Sequence, residues 1–173
     1  MTGTGVSWNT PANAINGNQT NGSYISFGGT DSVRMLRCHA LPAALFTDVH
    51  DQADVSKFTI TWDHIAARGA GASYTPTYAL RLMQDTAVKS SSGQQSGSTS
   101  WNNKSYTWTY PQGQTYITGA QLKSGNFGAG FEPDVGATKF GTIQIRNVKM
   151  VVCYRNPDLP PTTLDVPLLF CEA

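Results

Sequence analysis

Three carboxylates, Asp48, Asp51 and Asp54, fall within the seven residues Asp48-Val49-His50-Asp51-Gln52-Ala53-Asp54. Hard cations such as calcium take several oxygen ligands, which makes this cluster the candidate metal site of the chain. Its spacing of three and three lacks the alternating ligands and central glycine of a calcium loop, and the same residues fit a solvated turn or a helix end more simply. Glu132-Pro133-Asp134 reads as a polar loop. His39, His50 and His64 show neither HxH nor HExxH spacing, and there is no GxSxG elbow and no phosphate-binding glycine loop. Between Thr86 and Phe131 there is no carboxylate to supply half of a glycosidase pair. With no nucleophile beside a base and no cage of ligands, we expect no enzyme, no catalytic residue and no cofactor.

Aromatic side chains offer a second kind of chemistry. Trp101, Tyr106, Trp108 and Tyr110 could stack on the apolar faces of sugar rings. Residues 106, 108 and 110 share one strand face, though, and filling the core accounts for them. Trp101, beside a Ser-rich stretch, is the one candidate glycan contact. The three cysteines, Cys38, Cys153 and Cys171, have no CxxC or Cys/His pattern. We expect buried or half-buried free thiols, with one disulfide, or an intermolecular one through Cys171, as the alternatives.

The elements that must position these groups are strands. Only 13% of the 173 residues are charged, against about 25% in an ordinary soluble domain, and only two are Glu. Gly, Pro, Thr, Ser and aromatic residues are plentiful, a balance that excludes a helical bundle. Phe58, Ile60 and Trp62 alternate with Thr59 and Thr61; Tyr78, Leu80 and Leu82 do the same; so do Tyr106, Trp108 and Tyr110 before the Pro111-Gln112-Gly113 turn. Ser23–Phe27 and Val33–Cys38 are further candidate strands. Along 143–154 the apolar positions change phase, from Ile143 and Ile145 to Val148, Met150, Val152 and Tyr154. One extra residue at Arg146-Asn147, a β-bulge, produces this slip, and a tight turn is the alternative. The one short helix is expected in Leu41–Val55, with Pro42 in its first turn, and Ser90–Ser100 is expected to be a mobile loop.

This pattern predicts an all-β antiparallel sandwich or jelly roll over residues 1–155. A Pro-rich arm, 156–173, should run extended, because Pro157, Pro160, Pro161 and Pro167 cannot donate to a ladder. Its apolar end, Leu168, Leu169 and Phe170, is the candidate partner-binding patch. The patch either folds back on its own sandwich or docks on another subunit.

Charge and hydropathy bound the partners. A net charge of +1 without Lys/Arg runs argues against nucleic acid. No stretch approaches the roughly 20 apolar residues of a membrane span, and Met1–Asn13 has no basic and apolar leader pattern, so cytosolic production is expected. The sequons at Asn18, Asn21 and Asn103 carry little weight in that setting.

Three segments resemble a known group of proteins. Ser7-Trp8-Asn9-Thr10-Pro11-Ala12-Asn13-Ala14 resembles a W-x-N/T-P-x-N-A start, Ile117–Gly128 a segment ending in N-F-G before a strand, and Ile143–Tyr154 a closing strand of alternating valines ending in Tyr. Together they are similar to the small β-sandwich structural proteins of tailed-bacteriophage virions. Arg146 stands where an acid is common, Ala129 replaces a usual Val, and the arm lies outside the pattern. The resemblance implies a non-enzymatic virion part assembled in the bacterial cytoplasm. Small size favours a capsid decoration (cement) protein that binds the major capsid protein, other virion proteins and copies of itself. The alternative is a carbohydrate-binding or receptor-binding module of a tail or neck appendage.

Overall fold

The computed structural model describes residues 5–15, 22–28, 31–39, 46–109, 117–134, 136, 138 and 140–173. In chain order the elements are β1 (Ser23–Phe27), β2 (Leu36–His39), β3 (Asp54–Arg68), β4 (Thr77–Gln84), β5 (Ala87–Gln95), β6 (Asn102–Thr109), β7 (Ile117–Thr118), α1 (Gly119–Ser124), β8 (Phe127–Asp134), β9 (Gly141–Arg155), β10 (Thr162–Val166) and β11 (Phe170–Glu172). They form two antiparallel sheets. The first runs β1-β9-β3-β6, with β10 also on β9 and β7 on β3; the second runs β11-β2-β8-β4-β5. The sheets pack as a sandwich, the architecture that the alternation predicts.

Alternate side chains of β3, β4 and β9 enter the shared core, and β8 is buried on both faces from Phe127 to Phe131. Across the sandwich Phe58 stacks on Phe127 at 5.1 Å between ring centroids, and Trp62 meets Phe131 edge-on at 5.8 Å. Each such buried side chain contributes on the order of 1.5–3 kcal/mol. The stripe of β9 does change phase at a bulge. Thr61 pairs with Lys149 and Asp63 with Arg146, so β9 spends one more residue than β3, and Asn147 takes φ 54°. A second slip, between Val55 and Lys57, inserts Ser56 into β3.

Four expectations are corrected. Residues 46–53 form turns and Asp54 already starts β3, so no helix occupies the described part of Leu41–Val55; Leu41–Leu45, with Pro42, lie outside the described residues. Helical turns occur instead at Pro11–Ala14, a short 3-10 helix, and in α1, opened by a capping box in which Thr118 and Gln121 satisfy each other's backbone N–H groups. The expected loop at 90–100 is, up to Gln95, the edge strand β5. Pairing β5 to β4 uses backbone groups, and the Leu80 N–H donates to the Ser92 hydroxyl at 3.3 Å, so no apolar side chain is needed.

The extended arm is the third correction. Beyond a turn at 156–159, the segment gives β10 to the first sheet and β11 to the second. Pro160, Pro161 and Pro167 flank β10 without entering it, which leaves its N–H groups free to pair. The fourth concerns the cysteines: Cys38 and Cys171 form a disulfide across β2 and β11, leaving Cys153 free. Closing a loop over a separation of 133 residues removes, in the chain-entropy account, about 5 kcal/mol from the unfolded state. Tyr110, the 111–113 turn and the sequons at Asn18 and Asn21 fall outside the described residues.

Candidate functional site

The three carboxylates of the acidic cluster do not converge. Asp51 is paired with Lys123 of α1, whose hydrogen bond and charge hold its carboxyl below the usual range. Asp54 faces Arg155 at 3.8 Å. At Asp48 the backbone carbonyl accepts from Asn156 Nδ2 at 3.0 Å, and the Asn156 carboxamide oxygen accepts from the His50 N–H at 2.8 Å. The cluster is therefore a turn that fastens the β9–β10 connection to the start of β3. Among the described residues, no group of three His, Cys, Asp or Glu is placed to hold a metal ion.

Trp101 is partly exposed, and the Arg146 guanidinium carbon lies 3.8 Å from its ring centroid, so a cation already covers one face. Arg146 belongs to the β9 bulge, and the bulge is organised by Asp63. Asp63 Oδ2 accepts from Asn147 Nδ2 at 2.5 Å and faces Arg146 Nε at 3.4 Å, while Oδ1 accepts from Asn103 Nδ2 at 2.8 Å. Partial burial pushes the Asp63 carboxyl up, but the Asn103 and Asn147 hydrogen bonds and the Arg146 charge outweigh it and hold it below its ordinary value. One carboxylate thus joins β3, β6 and β9 on the outer face of the first sheet.

On the other face of the same strand, Trp62, His64 and Tyr78 form a buried polar cluster. The Trp62 indole N–H donates to Tyr78 Oη at 2.6 Å, and the Tyr78 hydroxyl is hydrogen-bonded to His64 Nδ1. Because Oη already accepts from Trp62, the network assigns the hydroxyl proton toward Nδ1 and the imidazole proton to Nε2. Burial pushes the His64 pKa down to about 4, helped by the charge of Lys104 and opposed by Asp63. Burial likewise pushes the Tyr78 hydroxyl well above its ordinary value, against the Trp62 hydrogen bond. Both rings are fully enclosed, so the cluster is uncharged and sealed at neutral pH. Composition and motifs did not single it out. The signal was present all the same: position 64 continues the core phase of 58, 60 and 62.

The Leu168–Phe170 patch divides. Leu168 is 7% exposed and belongs to the chain's own core, while the Leu169 N–H donates to the His39 carbonyl at 2.7 Å with its side chain 48% exposed. Phe170 pairs its backbone with His39 in β11, and its side chain lies outside the described residues. The structure thus commits Leu168 inward and leaves Leu169 on the surface.

An open groove on the outer face of the second sheet collects further polar groups. There Arg81 clasps Glu132 through Nε at 2.9 Å and Nη2 at 2.6 Å, and Asp134 Oδ2 accepts from Thr77 and from Gln94. Glu132-Pro133-Asp134 is therefore strand, not loop. Comparison with known proteins finds no matching family model, no similar curated protein and no similar solved structure.

Proposed function

We propose that this chain is a non-enzymatic structural part of a virus particle, most specifically a decoration protein that binds the outer head shell of a tailed bacteriophage. The observation that carries the proposal is where the reactive side chains lie. Among the described residues, the one cluster with strongly shifted titration, Trp62-His64-Tyr78, is enclosed in the core, whereas the outer carboxylates Asp51, Asp63 and Glu132 are tied to cations or amides that fasten the fold. Groups spent in this way stabilise a building block; they do not turn over a substrate. The segment resemblances at 7–14, 117–128 and 143–154 support the same reading.

Its partners are the major capsid protein, other virion proteins and further copies of itself. Assembly in a reducing cytoplasm keeps Cys38 and Cys171 as thiols, and the disulfide closes when the particle meets an oxidising medium. Sugar stacking on Trp101, the property of an appendage module, requires Arg146 to leave the ring or the sugar to use its other face.

Mixing the purified protein with intact particles tests the proposal. Saturable binding at a fixed number of copies per particle is expected. Absence of binding to any particle component, or glycan binding that Trp101→Ala abolishes with the fold intact, rejects it. Deleting 156–173 is not a useful arm of that test, because it removes strands from both sheets.

A further inference from the structure

We infer that β6 is a self-pairing edge, where a second copy of this chain continues the first sheet in antiparallel register. The inference rests on reading the chain as part of an assembly, and it names the partner and the surface. Sheet edges expose unpaired N–H and C=O groups and recruit other strands unless they are blocked. Most edges described here are blocked. Asn9 exchanges two backbone hydrogen bonds with Tyr24 and so covers β1. Prolines 160, 161 and 167 bracket β10, and β11 is only three residues long. The edge strand β5 carries two register shifts and Gly93 at φ 72°, irregularities that twist an edge away from a partner.

Strand β6 has none of these devices. It pairs with β3 from Thr109 to Asn102 without a shift, contains no proline or glycine, and among the described residues pairs with β3 alone. Its side chains suit a second copy. Lys104 is its only basic residue, and it has no acid. A two-fold pairing centred on Ser105 sets Lys104 opposite Tyr106 of the second copy, and one centred on Tyr106 sets it opposite Trp108. Both juxtapose a cation with an aromatic ring and neither opposes two lysines. On the outer face the first register sets Asn103 opposite Thr107 and Ser105 opposite Ser105, and the second sets Asn103 opposite Thr109 and Ser105 opposite Thr107, polar pairs of the kind already made within the sheet by Thr59 and Thr107 at 2.9 Å.

Trp108 adds an independent mark. It is 6% exposed, and its indole N–H has no acceptor among the described residues. Buried donors without acceptors are unfavourable, and a second chain along this edge brings a new row of carbonyl oxygens beside the strand that carries it.

Sedimentation of the full chain across a concentration series tests the inference. The wild-type mass should rise from 18.6 kDa toward twice that value. The double variant Ser105→Lys/Thr107→Lys opposes lysines in either register and should weaken association by at least about tenfold. The control Thr162→Lys/Thr163→Lys, on β10, should associate as the wild type does. A wild type that stays at 18.6 kDa at every concentration, or a double variant that pairs unchanged, overturns the inference. Hydrogen exchange on the wild type decides the matter even if the double variant fails to fold. Amides of β6 should gain protection with concentration while those of β5 do not, and equal behaviour of the two edges overturns the inference. Particle binding is scored separately, so a protein that pairs through β6 and binds no shell supports this inference and refutes only the decoration reading.

Discussion

Asp63 and His64 are neighbours in β3, yet they serve opposite ends. Asp63 points outward, stays ionised, and holds three strands through Asn103, Asn147 and Arg146. His64 points inward, stays neutral, and is held by Tyr78 and Trp62 in the core. Strand alternation alone separates them. A titratable residue is therefore read first by its phase in the strand and only then by its type. Outside, solvent and amides favour the charged form; inside, desolvation removes it.

Breaking the inner side should cost most. Trp62→Ala empties a large core site and removes the donor to Tyr78, and a loss of about 3–5 kcal/mol in denaturant unfolding is expected. Acid should come next. The folded pKa of His64, about 4, lies below the ordinary 6.5, so the unfolded chain takes up the proton first. The stabilising difference is complete above about pH 6.5 and is lost as pH falls toward about 4, a change of about 3 kcal/mol. His64→Phe should flatten stability against pH in that window, and an unchanged slope would assign the acid sensitivity to other groups.

On the outer side, Asp63→Ala leaves Asn103, Asn147 and Arg146 without their common acceptor. A loss of about 1–3 kcal/mol is expected, with faster exchange of the bulge amides seen by NMR. The direction with pH is the same, in a more acidic window. The depressed Asp63 pKa gives stability that is present above the unfolded carboxylate value and lost as pH falls through the folded one. Smallest is Trp101→Ala, which removes the ring under Arg146 and should cost about 0.5–1 kcal/mol. A larger loss there would mean that the stacking, not Asp63, organises the bulge.

Much of the sandwich was legible because burial on one face imposes period two. The stripes at 58–62 and 78–82, and the phase slip at 146–147, each map onto observed strands. Strand β5 was not legible, since a polar edge strand carries no stripe and is held by backbone pairing alone. Strands β10 and β11 were obscured by the prolines around them, which mark where pairing stops and not where it is absent. The Cys38–Cys171 pairing depends on the return of β11 to β2, a contact between opposite ends of the sequence that spacing does not encode. The Asp63 network was missed because its partners come from two other strands, β6 and β9, whereas the acidic cluster at 48–54 attracted notice through proximity in sequence and proved to be a fastening.

The cross-link between β2 and β11 also governs how the molecule would carry tension. A pull applied outside the bridge passes from one side to the other through the covalent bond, and the 133-residue separation it closes bears no load. About 450 Å of contour length is thereby withheld from stretching. The segment ahead of Cys38 can still peel away, but an oxidised domain would resist shear as a short tether and would lengthen abruptly only after its sulfurs are reduced.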